Sequence, residues 1–480
     1  MTLAIHPALR RAYDLRGVVG KTLDVDDAHG VGRAFAEIAR RSNARRIAVS
    51  RDGRASSPAL EGALVQGLCE GGMHVLRMPL GPTPLVSFAI DRLGLDGGVM
   101  VTGSHNPADQ NGFKLRLGNE PFAGETLALL WQVDGREHDG GTIEEIDPSD
   151  AYLDALAAEL RGLAAPVAAW DSGNGATGPI VDRLLARIGP EQRALFTAVD
   201  GSFPNHHPDP AVAANLRDVA TAVRTHALDL GVAFDGDGDR IGLVDGSGEI
   251  VWADQAMLLL AADVLRERPG SAFVADVKCS HALFGGIEAL GGRPVMSPSG
   301  YVLVRERMLR ERAPLAGEMS GHIFFGDRWH HADDALYVAM RVLRALARSG
   351  RSLREFRESL PPTFATPEIR LPCADERKAE VIAQLLASLE RSGARVDRTD
   401  GLRVVDGDGW WLLRASGTEA KLTVRCEADD AAKLERIKAK LADALRRAGV
   451  DPGELADDQA TTVAAGSALG GGRSSCIAER

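Results

Sequence analysis

The sequence has no surplus of positive charge. Its 480 residues include 56 Lys and Arg against 67 Asp and Glu, which gives a net charge of −11. Proteins that bind nucleic acid usually expose a strong positive surplus to replace counterions. We therefore expect no nucleic-acid partner, and an anionic ligand would have to be held by local clusters of cations.

Cysteine pairs and long apolar runs are also missing. The five cysteines are widely spaced and form no CxxC motif, which excludes a zinc knuckle or disulfide framework and favours a reducing cytoplasm. No apolar run approaches the roughly 20 residues of a membrane helix. The first residues lack the apolar core of a secretory signal. We expect a cytoplasmic protein without a membrane partner.

What is present is the composition of a folded protein with several domains. Hydrophobic residues make up 45% and charged residues 26%, and the length suggests about three to four domains. Strand-like runs such as 46–50 and 230–234 alternate with helical patterns such as 58–69, which predicts α/β layers. After the proline-rich segment 361–367, strand patterns flanked by two helical stretches predict a smaller α+β domain.

Four domains and a tail follow from this reading. We place the domains at residues 1–148, 149–255, 256–364 and 365–455. The tail 456–480 is rich in Ala, Gly and Ser and has no aromatic residue, so we expect it to be disordered.

The first loop that suggests chemistry is TGSHNP, residues 102–107, directly after a strand pattern. Sites of α/β proteins lie at the carboxyl ends of strands. Gly103 and Pro107 mark a tight loop, so we expect Ser104 to be presented to solvent as a nucleophile or phosphate carrier. An ordinary turn is the alternative. His105 directly beside Ser104 is a poor arrangement for a Ser–His pair.

The second loop is DGDGDR, residues 235–240, which also follows a strand pattern. Three carboxylates separated by glycines repel one another unless a hard cation lies among them, and oxygen ligands favour Mg²⁺ or Ca²⁺. The EF-hand is excluded because Arg240 and Gly246 occupy the positions where that loop needs Gly and Glu. A solvated acidic turn is the alternative.

Two further loops complete the set. GEMSGH, residues 317–322, offers Glu318, Ser320 and His322, a mixture suited to sugar hydroxyls. RASGTE, residues 414–419, offers hydroxyls and cations that suit a phosphate. A polar turn and a hairpin loop are the respective alternatives. Together the four loops predict one site for a phosphosugar, shared by four domains.

In this order and spacing, the four motifs closely resemble those of the α-D-phosphohexomutase family, over roughly residues 10–450. GEMSGH is most similar to the bacterial phosphomannomutase/phosphoglucomutase branch. The resemblance implies three related mixed α/β domains plus a smaller C-terminal α+β domain around a central cleft.

The resemblance also implies roles for single residues. Ser104 would be the phosphoserine and would hold Mg²⁺ together with Asp235, Asp237 and Asp239. Catalytic positions match His105, Lys114, Arg240 and His322. The pair Asp333 and Asp334 would lie near His322 and the sugar contacts. Substrate-binding positions match Tyr13, Arg16, Lys278, Tyr301, Glu318, Ser320, Arg414, Ser416, Gly417, Thr418 and Arg425.

One position departs from the family pattern. Related dual-specificity enzymes usually have Gly-His where this sequence has Gly300-Tyr301. The Tyr301 hydroxyl can donate a hydrogen bond, but it is not a cationic phosphate contact at neutral pH. The preference between mannose and glucose is therefore open.

The resemblance implies an isomerase that moves a phosphoryl group reversibly between C6 and C1 of mannose or glucose phosphates. Hexose 1,6-bisphosphate would be the intermediate and activator, and we expect a monomer. Lys114 or His322 would be the general base. Three alternatives are a phosphoglucosamine mutase, a serine phosphatase and a sugar-phosphate binding protein without catalysis. The first typically has Gln in place of Met319.

Overall fold

The computed structural model describes residues 3–118, 120–416, 420–456 and the pair Val463–Ala464. One compact unit comprises residues 1–354 with the segment 416–419, and the other comprises residues 355–415 and 420–480. Within the described ranges, no helix has the length and apolar character needed to cross a membrane. The predicted tail lies almost wholly outside the described residues, so its disorder stays a prediction, as does the cytoplasmic location.

The first sheet has seven strands in the order β1-β5-β4-β2-β3-β7, with β6 paired to β5. Its central strands β3, β2 and β4 are parallel, and β5 is antiparallel to β4 and β1. A capping box at Asp24 begins the first helix. The strands are β1 (Leu15–Val18), β2 (Arg46–Arg51), β3 (His74–Arg77), β4 (Gly97–Val101), β5 (Gln110–Leu117), β6 (Glu120–Pro121) and β7 (Thr142–Glu145), and the helices are α1 (Val25–Arg41), α2 (Ser57–Glu70) and α3 (Thr83–Leu93).

The second sheet has five strands in the order β12-β11-β10-β8-β9. Strands β9, β8 and β10 are parallel, and β11 returns antiparallel beside β10. Its elements are α4 (Ser149–Ala158), β8 (Ala168–Asp171), α5 (Gly178–Ile188), β9 (Arg193–Leu195), α6 (Arg217–His226), β10 (Leu230–Phe234), β11 (Ile241–Asp245) and β12 (Ile250–Val251).

The third sheet has four strands in the order β14-β13-β15-β16. Strand β13 is parallel to both neighbours, and β16 is antiparallel to β15. Its elements are α7 (Ala253–Glu267), β13 (Ala272–Asp276), α8 (His281–Ala289), β14 (Arg293–Ser297), α9 (Tyr301–Glu311), β15 (Leu315–Gly317), β16 (Ile323–Phe325) and α10 (Ala335–Ser349).

The fourth sheet, in the second unit, has the order β19-β20-β21-β22-β17-β23, with β18 paired to β22. Its apolar face, including Trp411, Leu413 and Val424, shares one core with the helices α12 and α13. The elements are α11 (Leu353–Glu358), β17 (Phe364–Ala365), β18 (Ile369–Pro372), α12 (Asp375–Arg391), β19 (Arg395–Asp397), β20 (Leu402–Asp406), β21 (Gly409–Ala415), β22 (Lys421–Ala428), α13 (Ala431–Arg447) and β23 (Val463–Ala464).

The sheets confirm the predicted α/β alternation and the placement of the loops. TGSHNP follows β4, DGDGDR follows β10, GEMSGH begins at the end of β15, and RASGTE begins at the end of β21. The segment 361–367 differs from expectation, since it contains β17, which pairs with β22. This is sterically permitted because the prolines flank the two paired residues and do not occupy them.

Candidate active site

Ser104 lies at the centre of the site and is buried. Only 3% of the residue is exposed, which contradicts the expectation of a solvent-presented serine. Its backbone is left-handed, with φ +48°, an uncommon conformation for a residue other than glycine. The backbone of Gly236 approaches Ser104 closely, since a Cβ at Gly236 would lie 2.4 Å from the Ser104 carbonyl oxygen. The loop TGSHNP is thus held against the loop DGDGDR.

The hydroxyl of Ser104 has two polar neighbours. Its Oγ donates to Asp235 Oδ2 at 2.7 Å and lies 3.1 Å from His105 Nδ1. The expectation that adjacent Ser104 and His105 pair poorly was therefore wrong, because the left-handed turn brings the two side chains together. Burial, with Arg240 and Arg16 nearby, lowers the pKa of His105 well below its usual range. Its imidazole is neutral at physiological pH.

A buried arginine supports this loop from beneath, and the sequence reasoning missed it. Arg54 is 1% exposed. Its Nη atoms donate to four carbonyl oxygens of the loop and its flank: Ser104 (2.7 Å), Asn106 (2.7 Å), Pro107 (2.6 Å) and Gln110 (2.9 Å). A Cβ at Gly103 would lie 2.3 Å from Arg54 Cζ, so this position requires glycine.

Asp52 completes the support for the loop. Its Oδ2 accepts hydrogen bonds from Thr102 Oγ1 at 2.8 Å and from Gly103 N at 3.1 Å. It also forms an ion pair of 3.2 Å with Arg54. A signal for both residues was available in the sequence, because Asp52 and Arg54 directly follow β2, as the recognised loops follow their strands.

The loop DGDGDR is organised around three buried carboxylates. Asp235 Oδ1 accepts the backbone N–H groups of Gly238, Asp239 and Arg240 at 2.9, 3.0 and 3.1 Å. Thr83, at the start of α3, donates to Asp237 Oδ2 at 2.5 Å. Burial and repulsion by its two acidic neighbours raise the pKa of Asp235 well above its usual range. A cation among the carboxylates would reverse that repulsion.

The residues fit a divalent cation. Asp235, Asp237 and Asp239 each offer one oxygen, and these atoms lie within 4.8 Å of one another. The Oδ1 atoms of Asp237 and Asp239 are buried and accept no hydrogen bond, which is costly without a compensating charge. A donor set made only of oxygen favours a hard cation such as Mg²⁺.

A stability measurement tests this cation site without an enzyme assay. At a concentration 100 times its Kd, a ligand of the folded state adds about 2.7 kcal/mol to the free energy of unfolding. We expect Mg²⁺ to stabilise the wild-type protein in this way, and Asp237→Asn to lose most of the stabilisation. Asp150→Asn is the control because Asp150 lies on α4 and pairs there with Arg187. A full Mg²⁺ effect in Asp237→Asn would contradict the assignment.

Lys114 and Arg16 supply positive charge beside the acidic loop. Lys114 Nζ pairs with Asp237 Oδ2 at 2.7 Å and with Asp239. Burial lowers the pKa of Lys114, but the two carboxylates outweigh it and raise the pKa. Arg16 donates to the Thr102 carbonyl oxygen at 2.5 Å and is oriented by Asp14 at 2.7 Å. Both residues thus contact the loops TGSHNP and DGDGDR, and their roles toward a substrate stay predictions.

The loop GEMSGH meets the acidic loop through the pairing of Arg240 with His322. Gly321 has φ +98°, and a Cβ there would lie 2.7 Å from the Ile241 carbonyl oxygen, so glycine is required for this approach. Arg240 Nε donates to His322 Nε2 at 2.9 Å. On the other side of the ring, His322 Nδ1 lies 3.0 Å from Asp333.

This arrangement argues against a second cation site formed by Asp239, His322 and Asp333. One ligand atom from each of these residues lies within 4.8 Å of the others. However, the hydrogen bond from Arg240 requires an unprotonated Nε2, so the neutral ring carries its proton on Nδ1. That nitrogen then has no lone pair for a metal. His322 is held between Arg240 and Asp333 instead.

The predicted sugar contacts lie together within the third domain. Glu318 Oε1 accepts from Gly300 N at 2.6 Å, and Glu318 Oε2 accepts from Ser320 Oγ at 3.4 Å. Lys278 Nζ lies 3.7 Å from Asp276 Oδ2. Asp276 also accepts from Met319 N at 3.2 Å, which ties the end of β13 to the loop.

The predicted phosphate contacts of the second unit lie on neighbouring strands. Arg414 pairs with Asp400 at 2.8 Å, and Arg425 lies 3.5 Å from Glu427. In the register of β21 and β22, Arg414 is opposite Thr423 and Arg425 is opposite Leu412, so the two arginines share one face of the sheet. Ser416 directly follows β21. Gly417 and Thr418 lie outside the described residues.

Four parts of the chain match descriptions of one family. Residues 8–128, 150–248 and 252–364 match the phosphoglucomutase/phosphomannomutase alpha/beta/alpha domains I, II and III, and residues 368–444 match its C-terminal domain. The chain belongs to the phosphoglucomutase/phosphomannomutase family.

The sequences of proteins in this family are similar to this chain over nearly its whole length. A phosphomannomutase/phosphoglucomutase from Pseudomonas putida is 40% identical over 438 residues, which are 91% of this chain and 95% of that protein. A phosphoglucomutase from Neisseria gonorrhoeae is 41% identical over 89% of this chain and 94% of its own length.

A solved structure also agrees. The crystal structure of a phosphoglucomutase/phosphomannomutase family protein from Burkholderia thailandensis has a TM-score of 0.87 and 40% identity, covering 93% of this chain and 98% of that one. The predicted family, the α/β fold class and the assignment as a mutase enzyme are confirmed.

Proposed function

We propose that this enzyme interconverts the 6-phosphates and 1-phosphates of glucose and mannose, with Ser104 carrying the transferred phosphoryl group. The observation that supports this most directly is the position of Ser104 Oγ, 2.7 Å from Asp235 in a loop with two further buried carboxylates. The names of the relatives from Pseudomonas and Neisseria support the two sugars.

The transfer has two halves. The free hydroxyl of the bound sugar phosphate attacks the phosphorus of phospho-Ser104, a new O–P bond forms, and the bond between phosphorus and Oγ breaks. The proton of the attacking hydroxyl ends on the released Ser104 Oγ. The product is a hexose 1,6-bisphosphate, whose other phosphoryl group then returns to Ser104 Oγ. A phosphoserine carries about −1.5 to −2 charges. We expect Arg16, Lys114 and Arg240, which contact Thr102, Asp237 and His322, to compensate this charge.

His105 supplies a hydrogen bond to Ser104 Oγ in this proposal. Ser104 Oγ–H donates to Asp235, so the Nδ1–H of neutral His105 donates to Oγ across 3.1 Å. This donor stabilises negative charge on Oγ when it leaves phosphorus. Both bases suggested by the sequence are engaged: Lys114 in two ion pairs, and His322 between Arg240 and Asp333. Because both ring nitrogens of His322 already face protein groups, we assign His322 a positioning role and not that of the general base.

Mg²⁺, held by Asp235, Asp237, Asp239 and the phosphoserine, would neutralise charge on the transferred phosphoryl group.

Glu318 and Ser320 are the proposed contacts of the sugar hydroxyls O3 and O4. These hydroxyls are equatorial in both glucose and mannose, so this contact does not distinguish the two sugars. Arg414, Ser416 and Arg425 are the proposed contacts of the second phosphate.

The test compares mannose 1-phosphate with glucose 1-phosphate as substrates, with Mg²⁺ and a trace of glucose 1,6-bisphosphate. We expect kcat/KM values within about tenfold of each other, which corresponds to less than about 1.4 kcal/mol of differential transition-state binding. A ratio beyond about 100, or about 2.7 kcal/mol, would mean a specialist.

Three outcomes would contradict the proposed function. Release of inorganic phosphate without isomerisation would indicate a phosphatase, and binding without turnover of either sugar would indicate a sugar-phosphate binding protein. Turnover of glucosamine phosphates in preference to both hexoses would identify a phosphoglucosamine mutase.

A further inference from the structure

Tyr301 lies where the family usually has histidine, and its ring contacts two aromatic side chains. Its ring stacks on the His322 imidazole, with centroids 5.6 Å apart and planes 27° from parallel. It also meets the Tyr13 ring edge to face, at 5.6 Å and 71°. Tyr301 therefore connects the N-terminal segment before β1 with the loop GEMSGH.

Two hydrogen bonds accompany these ring contacts. Tyr301 Oη donates to the Tyr13 carbonyl oxygen, and Tyr13 Oη donates to the Ser299 carbonyl oxygen, each at 3.3 Å. O–H···O bonds are most often 2.7–2.8 Å long, so both bonds are weak. The ring contacts therefore carry more of the interaction than the hydroxyls.

Tyr13 packs closely against the backbone at Gly300, directly before Tyr301. Gly300 has φ +130°, and a Cβ there would lie 2.1 Å from Tyr13 Oη. The Gly300 amide donates to Glu318 Oε1 at 2.6 Å, so the turn that begins α9 is tied to the proposed sugar contact. The ring of Tyr301 follows this turn and covers one face of His322.

We propose that Tyr301 is a positioning residue, whose ring fixes the His322 imidazole between Arg240 and Asp333 and thereby fixes Arg240 beside Asp235. This inference rests on the proposed function for its kinetic consequence, but the ring contact itself exists without substrate. It assigns Tyr301 a role through His322 in place of the direct substrate contact that the resemblance implied.

Three substitutions at Tyr301 distinguish the contribution of the ring from that of the hydroxyl. Tyr301→Phe keeps the ring, and we expect kcat and KM within about threefold of wild type because the lost hydrogen bond is weak. Tyr301→Leu removes the stacked ring, and we expect kcat to fall at least about tenfold with KM within about threefold. Tyr301→His restores a flat ring and is expected to recover most of the lost kcat.

A spectroscopic readout in the substrate-free protein accompanies the kinetics. In protein labelled with ¹⁵N-histidine, the Nδ1 resonance of His322 reports the contact of this nitrogen with Asp333 at 3.0 Å and is identified by its loss in His322→Gln. We expect this resonance to shift or broaden in Tyr301→Leu and to persist in Tyr301→Phe. Phe88→Leu is the matched control, since Phe88 lies on α3 and its ring stacks on the Trp329 ring.

The outcomes decide between roles. A Tyr301→Phe enzyme with at least tenfold higher KM and unchanged kcat would overturn the inference, because the hydroxyl would then contact substrate. Unchanged kcat and an unchanged His322 resonance in Tyr301→Leu would also overturn it. If the wild-type protein lacks mutase activity, the proposed function fails separately. The resonance alone then decides: a shift in Tyr301→Leu supports the positioning role and an unchanged line overturns it.

Discussion

Replacing Ser104 with alanine is expected to lower kcat at least about 10³-fold. Loss of a covalent nucleophile typically leaves only the contribution of binding and electrostatics. Ser104 Oγ is the hydroxyl beside the acidic loop, donating to Asp235 at 2.7 Å. No other hydroxyl of TGSHNP is available, because Thr102 Oγ1 donates to Asp52.

The measurement combines steady-state kinetics with intact mass. Wild-type protein incubated with glucose 1,6-bisphosphate should gain the mass of one phosphoryl group, and Ser104→Ala should not. Ser87→Ala is the matched control, since Ser87 is equally buried but lies within α3. A near-normal rate in Ser104→Ala would exclude the covalent scheme.

The second large effect is expected at Arg54, which donates a hydrogen bond to the Ser104 carbonyl oxygen. Four carbonyl oxygens of the loop TGSHNP and its flank accept hydrogen bonds from its guanidinium. A lysine has one nitrogen and cannot reach all four. We therefore expect Arg54→Lys to lower kcat at least about 100-fold, because a displacement of about 1 Å of a reacting group has a cost of this size.

Stability must be measured beside this kinetic effect. Breaking the buried pair of Arg54 with Asp52 leaves a carboxylate without its ion pair, which typically costs about 3–5 kcal/mol. Lysine retains the charge and reduces this loss. Arg341→Lys is the control because Arg341 is also a buried arginine, paired with Asp327; we expect it to lose stability with kcat unchanged. A folded Arg54→Lys enzyme with wild-type kcat would show that the loop does not depend on this residue.

Much of the site was predictable because it lies in loops that follow strands. Ser104, Asp235 and Glu318 were all recognised from polar residues directly after apolar runs. By the same reasoning, Asp52 and Arg54 after β2 were predictable and were missed. Their position after a strand is visible in the sequence, but the sequence does not show that the Arg54 guanidinium meets four carbonyl groups of a distant loop.

The sequence alone determined the family, the alternation of strands and helices, and the loops whose residues are proposed to meet a phosphosugar and a hard cation. These follow from local patterns of apolar, glycine and charged residues. Tertiary structure decided the burial of Ser104, its contact with His105, the engagement of His322 between Arg240 and Asp333, and the contacts of Tyr301. Each depends on backbone conformation or on packing between segments far apart in the chain, and residue spacing does not encode such distances.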